Sequence, residues 1–326
     1  MARASRRRTT APQFDPTLGD VDLATARRDL VVGRWQGARD LLRDTGADWD
    51  RRTHRLRLLA DAAASTRTVE SWQVAEPNSH DALALRAETE VQRLFLAVSG
   101  AASKQSSGTP PPAQDALERR ELDRTARICL QAAERNPVDP TPWVSLMTLA
   151  RLYGGGHPHV WHWWRELQAR DQFNREGHHQ VLRHLSARWH GSYGEMYNFA
   201  RDSAAFAPAG SPLAALTQAA RAEHFRHRVE SEGAAAVGLT YHWTHEVAVQ
   251  ALHGTLRGWI AHRAPREFAA DVTDLNLLLH GLVFAGLLSE AQQVSTLLGD
   301  RPTRVPWSYC GDAMGLFQHW RTQLGG

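Results

Sequence analysis

Histidine-rich segments are the first places in this sequence where chemistry could occur. Residues 154–166, GGGHPHVWHWWRE, hold three histidines and three tryptophans, and imidazole is a common metal ligand. Helical zinc sites place two histidines four residues apart, and no two histidines of this segment have that spacing. We therefore interpret the segment as a glycine turn followed by a helix. The residues expected on the buried face of that helix are Val160, Trp161, Trp164 and Leu167.

A second histidine-rich segment, EGHHQVLRHLSARWHGS, contains the spacing Glu-x-x-His at Glu176 and His179. A carboxylate and an imidazole three residues apart lie on one face of a helix, as the ligands of a di-iron bundle do. Such a bundle needs two of these motifs, and the sequence contains one. The sequence therefore predicts neither a metal site nor a cofactor. A helical metal-dependent enzyme that uses histidine and glutamate residues around 157–190 is kept as an alternative.

The common nucleophile and phosphate-binding motifs are also missing from the sequence. No G-x-S-x-G motif occurs, and Cys310 in PWSYCGD has no base that the sequence identifies. A GxxxxGK[ST] loop is excluded because the only lysine, Lys104, stands between serine and glutamine. We therefore predict no catalytic residue and favour a non-catalytic protein. The other histidines considered are interpreted as surface residues or satisfied core residues: His224, His227, His242 and His245.

The composition is that of an ordinary globular protein. The chain has 326 residues, of which 42% are apolar and 22% charged. The net charge is +3, but the arginines alternate with acidic residues along helical segments, so nucleic-acid binding is not expected. Cys129 and Cys310 are the only cysteines, which argues against a disulfide framework. No stretch of about eighteen uncharged apolar residues occurs, and we predict a cytoplasmic protein without a membrane span.

Apolar residues recur at intervals of three and four along most of the chain, and strand-like alternation is almost absent. An all-α fold is therefore predicted. Two segments interrupt the pattern: an arginine-rich arm at 1–19, expected to be disordered, and a Ser/Gly/Pro-rich linker or loop at 99–116. They set apart N-terminal helical repeats at 20–98 and a C-terminal helical-repeat array at 117–326.

The helical pattern is punctuated at a regular interval. Two similar joints, ERNPVDPTPW at residues 134–143 and ARDQFNREGH at 169–178, lie 35 residues apart. Pro208 follows Pro137 by 71 residues, which is close to two such periods. A period of about 34 residues accommodates two helices of about a dozen residues and two short turns. The chain is therefore predicted to consist of helix–turn–helix repeats.

The turns between these helices resemble those of the tetratricopeptide repeat (TPR), which places glycine in the turn and a small residue five positions later. GRWQGA supplies Gly33 and Ala38, and AGLLSEA supplies Gly286 and Ala291. Glycine accepts the turn geometry, and alanine lets the helix backbones approach. The segment 274–309 is also similar to one shared by uncharacterised actinobacterial helical-repeat proteins. The resemblance implies a right-handed TPR-like α-α superhelix, a solenoid of helical hairpins, and implies no enzymatic activity.

The first helix of each repeat lines the concave side of such a superhelix. The inward positions expected to be exposed there include Thr141, Thr148, Arg151, His178, Arg188, Asn276 and His280. This polar and cationic lining suits an acidic or carboxylate-bearing peptide. We therefore expect a non-catalytic scaffold or adaptor that binds a peptide or protein in its concave groove. A regulator whose arginine-rich arm, residues 3–8, touches nucleic acid is a further alternative.

Overall fold

The computed structural model of the protein describes residues 12–104, 116–264 and 268–325. These residues form fifteen α-helices joined by turns and short 3₁₀ segments, and no strand occurs among them. The prediction of an all-α protein is therefore confirmed. Within the same ranges, no helix combines the length and the apolar character needed to cross a bilayer.

Seven of these helices lie before residue 150 in the described part of the chain. They are α1 (Val21–Val31), α2 (Gln36–Thr45), α3 (Trp49–Ala63), α4 (Thr68–Ala75), α5 (His80–Lys104), α6 (Ala116–Arg135) and α7 (Thr141–Leu149). Eight more follow. They are α8 (Val160–Arg170), α9 (Arg175–His184), α10 (Tyr193–Phe206), α11 (Leu216–Glu232), α12 (Glu246–Gly258), α13 (Asp271–Phe284), α14 (Leu288–Leu298) and α15 (Ala313–Gln323).

Polar caps and glycines determine where several helices begin and end. The Asn174 side chain accepts a hydrogen bond from the Gly177 amide at 2.8 Å and caps the first turn of α9. Gly299, with φ +62°, ends α14 in the left-handed region that favours glycine. The cap on α9 bears on function because that helix carries several charged side chains into the interior.

Alternate helices form an inner row. Each of α1, α3, α5, α7, α9 and α11 contacts the next odd-numbered helix, up to α13, and the intervening helices pack against members of this row. Buried polar side chains concentrate on it, for example Ser145 on α7, His179 on α9 and Asp274 on α13. The interior of the protein is therefore polar and charged as well as apolar.

The beginning of the described chain packs against its end. Phe14 and Leu18 contact the hydrophobic cluster formed by α13, α14 and α15, and the Arg304 guanidinium lies 4.8 Å above the Phe14 ring. Residues 12–19 are thus held against the body of the protein, in contrast to the disorder expected for the whole N-terminal arm. The rest of that predicted arm, residues 1–11, lies outside the described residues.

A second set of contacts joins α3 to the C-terminal helices. The His54 ring lies 6.1 Å from the Phe268 ring, just before α13. Asp50 on α3 pairs with Arg175 on α9 at 3.2 Å, and Arg175 also pairs with Asp271 on α13 at 2.7 Å. Because α3, α9 and α13 meet in this way, the inner row encloses its own polar side chains.

The predicted linker at 99–116 is partly helical. The backbone of α5 continues to residue 104 and that of α6 begins at residue 116, while 105–115 lie outside the described residues. The units predicted on either side of the linker share one interior: Arg52 on α3 donates a hydrogen bond to Asp139, just before α7, at 2.9 Å.

The glycine–histidine–tryptophan segment forms the turn and helix that were predicted, with one error in its buried face. Gly155 and Gly156 have positive φ angles, and α8 begins at residue 160. Trp164 is buried as predicted, but Trp161 is 44% exposed and Trp163 is buried in its place. Positions three, four and seven residues after the first buried residue share its face, whereas the next residue is turned away by about 100°.

Candidate functional site

The residues predicted to line an open groove are not exposed. Six of them have at most 8% of their surface exposed: Thr141, Thr148, Arg151, His178, Asn276 and His280. The Arg188 side chain is 5% exposed and is paired with Glu230 at 3.4 Å. The expected exposure is wrong because the inner row closes on itself through α3, α9 and α13. A direct contact of these residues with a peptide stays a prediction.

Several of these side chains hold the interior together. Thr148 accepts a hydrogen bond from the Arg57 guanidinium at 3.2 Å, and Asn276 accepts one from the Trp307 indole at 2.9 Å. The Arg151 guanidinium lies about 5 Å from two aromatic rings, on Phe95 and Trp189 (4.9 and 5.1 Å). Burial lowers the pKa of Arg151 to about 9. Their contacts are those of structural residues.

Cys310 does acquire a histidine neighbour in the structure. Its Sγ lies 3.4 Å from Nε2 of His280. Burial raises the pKa of Cys310 to about 12 and lowers the pKa of His280 to about 3. Both groups are therefore neutral at pH 7, which is the opposite of an activated thiolate–imidazolium pair.

Glu176 and His179, the one Glu-x-x-His pair, line a central cavity of about 120 Å³ between α3, α9, α11 and α13. His179 Nε2 lies 3.1 Å from the Asp274 carboxylate. Burial opposes ionisation of Glu176, but the neighbouring Arg57 and Arg183 guanidiniums outweigh it and lower its pKa to about 2. The two predicted residues therefore lie together, but each is engaged in an ion pair or hydrogen bond.

Charges in the central cavity are closely balanced. Arg175 is surrounded by three carboxylates, with N···O distances of 3.2 Å to Asp50, 2.7 Å to Asp271 and 3.4 Å to Asp274. Among the described residues, no group of three or more His, Cys, Asp or Glu side chains is arranged to hold a metal ion. The cavity therefore gives no support to the metal-dependent enzyme that the sequence left open.

A second pocket, of about 340 Å³, has a different character. It lies between α10, α11 and α12 and is lined by Tyr197, Arg201, Thr217, Arg221, His224, His242, His245, Val247 and Ala251. None of these lining residues is acidic. We call it the Arg221 pocket, because this arginine is its most deeply buried cation.

Arg221 is 4% exposed, yet it has no carboxylate partner among the described residues. Its Nη1 donates to the His242 carbonyl oxygen at 2.9 Å and to Nε2 of His245 at 2.8 Å. Its Nε is buried and makes no hydrogen bond. Burial lowers the pKa of Arg221, as expected for a cation that lacks a counter-ion.

The histidines of the pocket add no charge at neutral pH. Burial lowers the pKa of His224 to about 4 and that of His242 to about 3. His224 Nδ1 hydrogen-bonds to the Tyr197 hydroxyl at 3.0 Å, and His242 Nε2 donates to the Arg221 carbonyl at 2.9 Å. The charge of the pocket is thus that of its arginines, and an anion is the ligand that this arrangement favours.

This pocket is not among the features predicted from the sequence. There, His224, His242 and His245 are interpreted as surface or satisfied core residues, and Arg221 belongs to none of the motifs. The feature of the sequence that could have indicated the pocket is a repeated three-residue spacing. Arg221 and His224 have it on α11, and His242 and His245 have it in the segment before α12. No protein-family model matches the chain, and neither a curated protein nor a solved structure shows significant similarity to it.

Proposed function

We propose that this is a non-catalytic cytoplasmic binding protein that receives an anionic group of an acidic partner in the Arg221 pocket. We propose also that the inner row of helices is a TPR-like superhelix whose concave side is filled by its own side chains. The repeat period and the contacts between alternate helices support that fold. An acidic partner is the one expected from the sequence. Its proposed binding site is now the Arg221 pocket instead of the concave groove.

One observation carries the proposal, namely a buried arginine without a counter-ion. Removing a charge from water costs several kcal/mol, so buried charges in proteins are normally paired. Arg52, for example, lies within 2.8 Å of two carboxylates, on Asp81 and Asp139. Arg151 is also buried without a carboxylate partner among the described residues, but its guanidinium lies against the rings of Phe95 and Trp189, whereas Arg221 lines an open pocket. An incoming anion would supply to Arg221 the partner that the described residues do not.

Anion-dependent thermal stabilisation tests the proposal. The protein is heated with sodium salts of acetate, phenylacetate and phosphate at constant ionic strength, with sodium chloride as reference. A ligand that binds only the folded state stabilises it by RT ln(1 + [L]/Kd), so at least one of these anions should raise the Tm. Arg221→Gln should remove that increase.

Arg226→Gln is the matched control, because Arg226 lies on the same helix but does not line the pocket. It removes one positive charge and should leave the anion effect intact. An equal stabilisation of wild type and Arg221→Gln, or none in wild type at millimolar concentrations, would contradict the proposal. Circular dichroism verifies that each variant is folded.

A further inference from the structure

We propose that the anionic group received by Arg221 is a carboxylate carried on an apolar, ring-sized body, an inference that rests on the proposed function. Acetate and phenylacetate differ only in that body, and phenyl phosphate differs from phenylacetate in the anionic group. The chemistry of the pocket distinguishes these probes in three ways.

The first is charge. Arg221 is the only cation in the pocket that is deeply buried, because Arg201 keeps 70% of its side chain exposed and lies 3.7 Å from Asp202. One buried positive charge is matched by one negative charge. A phosphate dianion would bring a second charge into a pocket whose neutral histidines do not neutralise it, at a larger cost of dehydration.

The second is the shape of the free guanidinium edge. Nη1 of Arg221 uses its two N–H groups on His242 and His245, which leaves the edge formed by Nε and Nη2. In other arginines of this chain, the edge formed by Nε and Nη2 donates hydrogen bonds to carboxylates. Arg55 Nε and Nη2 contact the two oxygens of Asp20 at 2.8 and 3.2 Å.

Arg228 repeats the arrangement with Glu232, at 2.9 Å from Nε and 2.6 Å from Nη2. A planar carboxylate matches this fork with two parallel hydrogen bonds. In Arg221 the Nε atom lies beneath the pocket surface, so a two-point contact requires a side-chain adjustment of the kind that commonly accompanies binding.

The third is the wall of the pocket. Val247, Ala251 and the Tyr197 ring supply apolar surface around the guanidinium. The volume of about 340 Å³ lies at the lower end of the range for small-molecule sites, about 300–1,000 Å³. It suits a body the size of an aromatic ring, which exchanges water for apolar contact while its carboxylate meets Arg221.

Two sources supply this chemistry: a free organic acid, or the terminal carboxylate of a peptide that ends in an apolar residue. Phenylacetate represents the first and N-acetylphenylalanine the second. Each has an uncharged counterpart of nearly the same shape, phenylacetamide and N-acetylphenylalaninamide. The amides separate the contribution of the carboxylate from that of the ring.

Isothermal titration calorimetry on the full chain measures the Kd of each probe. We expect phenylacetate or N-acetylphenylalanine to bind at least tenfold more tightly than acetate and phenyl phosphate, and the amides to show no binding. Arg221→Lys keeps the charge but not the planar fork, and should weaken the carboxylate probe about tenfold. Arg226→Gln should leave its Kd unchanged.

Val247→Glu gives a second test that does not disturb a buried residue, since Val247 lines the pocket and is 65% exposed. The new carboxylate should occupy Arg221 from within the chain and abolish binding of the probe while the protein stays folded. Val237→Glu is the control, since Val237 is 91% exposed and does not line the pocket.

The outcomes separate this inference from the proposed function. If phenyl phosphate binds more tightly than every carboxylate and still requires Arg221, the carboxylate inference is overturned and anion binding stands. If no anion binds, both fail. Tighter binding of phenylacetate identifies a free acid as the better source, and tighter binding of N-acetylphenylalanine identifies a chain terminus; either supports the carboxylate inference.

Discussion

The central cavity and the Arg221 pocket both contain a buried arginine, and the two arginines have opposite surroundings. Arg175 is 8% exposed and has carboxylates of α3 and α13 around it. Arg221 is 4% exposed and has a carbonyl, a histidine and a tyrosine ring. The comparison shows that burial of a charge does not by itself indicate a binding site. Arg221 differs from Arg175 in lacking a carboxylate, and it differs from the equally unpaired Arg151 in lining an open pocket.

The pKa values of the two arginines express the same contrast. Burial acts to lower the pKa of Arg175, but Asp50, Asp274 and Asp271 outweigh it and the pKa is raised. For Arg221 burial prevails, and the pKa is lowered. The charge of the first guanidinium is stabilised by its carboxylates, whereas burial of the second without a carboxylate works against the stability of the folded protein.

The largest effect that this comparison predicts is on stability. Arg175→Met leaves Asp274 buried with only His179 beside it and should cost about 3–5 kcal/mol of unfolding free energy. Arg221→Met loses two hydrogen bonds, to the His242 carbonyl and to Nε2 of His245, each worth about 1 kcal/mol, but also removes an unpaired buried charge. Its net cost should be about 1 kcal/mol or less, as measured by urea denaturation.

The double replacement Arg175→Met with Asp274→Asn serves as the control, because it removes the stranded carboxylate together with its cation. It should recover part of the stability lost in Arg175→Met. Equal destabilisation by Arg175→Met and Arg221→Met would mean that the charge of Arg221 is stabilised by its neighbours as well as that of Arg175. The contrast between the two arginines would then be wrong.

A second prediction concerns pH, since both regions contain buried neutral histidines. Burial lowers the pKa of His54 beside the central cavity to about 4 and that of His242 in the pocket to about 3. The unfolded chain binds protons near pH 6.5 and the folded one does not, so stability is fully present above that pH. It falls by about 1.4 kcal/mol per pH unit for each such histidine, down to its folded pKa.

Urea denaturation at pH 7.5, 6.5, 5.5 and 5.0 measures this loss, and the unfolding midpoint should decrease steeply below pH 6.5. His54→Gln should reduce the dependence of the unfolding midpoint on pH, because one proton-binding group is removed from the unfolded state. A midpoint that is constant from pH 7.5 to 5.0 would show that these histidines titrate normally in the folded protein.

Much of the fold could be predicted from the sequence, because a helix must bury one apolar stripe and the spacing of apolar residues records it. The position of Glu176 and His179 on the same face of one helix follows from their spacing alone. The predicted burial of Trp161 is wrong because three tryptophans lie within four residues. The start of the helix would have to be known to one residue to decide which of them face the interior. Helix formation and the face that a helix buries depend on nearby residues, so an error in predicting them shifts a side chain by one position and leaves the fold class unchanged.

The exposure of Asn276 and His280 could not be predicted, because it depends on how far the inner row closes. That closure rests on contacts between residues distant in sequence, such as Arg175 with Asp271. The unpaired state of Arg221 is also a tertiary property. The sequence contains 35 acidic residues, and nothing in their spacing shows that none of those described reaches this guanidinium.

The smallest expected effect tests whether the two regions act independently. Glu223 and Arg221 are two residues apart on α11, so their side chains point to different sides of the helix, Glu223 into the central cavity and Arg221 into the pocket. Glu223→Gln removes one negative charge from the cavity. A unit charge roughly 10 Å away contributes about 0.4 kcal/mol in water-like surroundings, which corresponds to about a twofold change in Kd.

The sign follows from the charge, since loss of a carboxylate makes the surroundings more favourable for an anion. Glu223→Gln should therefore tighten the binding of the carboxylate probe by twofold or less in calorimetry, and the effect should shrink as salt is added. Arg188, the nearby cation, keeps its pairing with Glu230 at 3.4 Å, so the fold should tolerate the change. A change of tenfold or more in either direction would show that the cavity and the pocket are coupled through α11, and they would then have to be treated as one site.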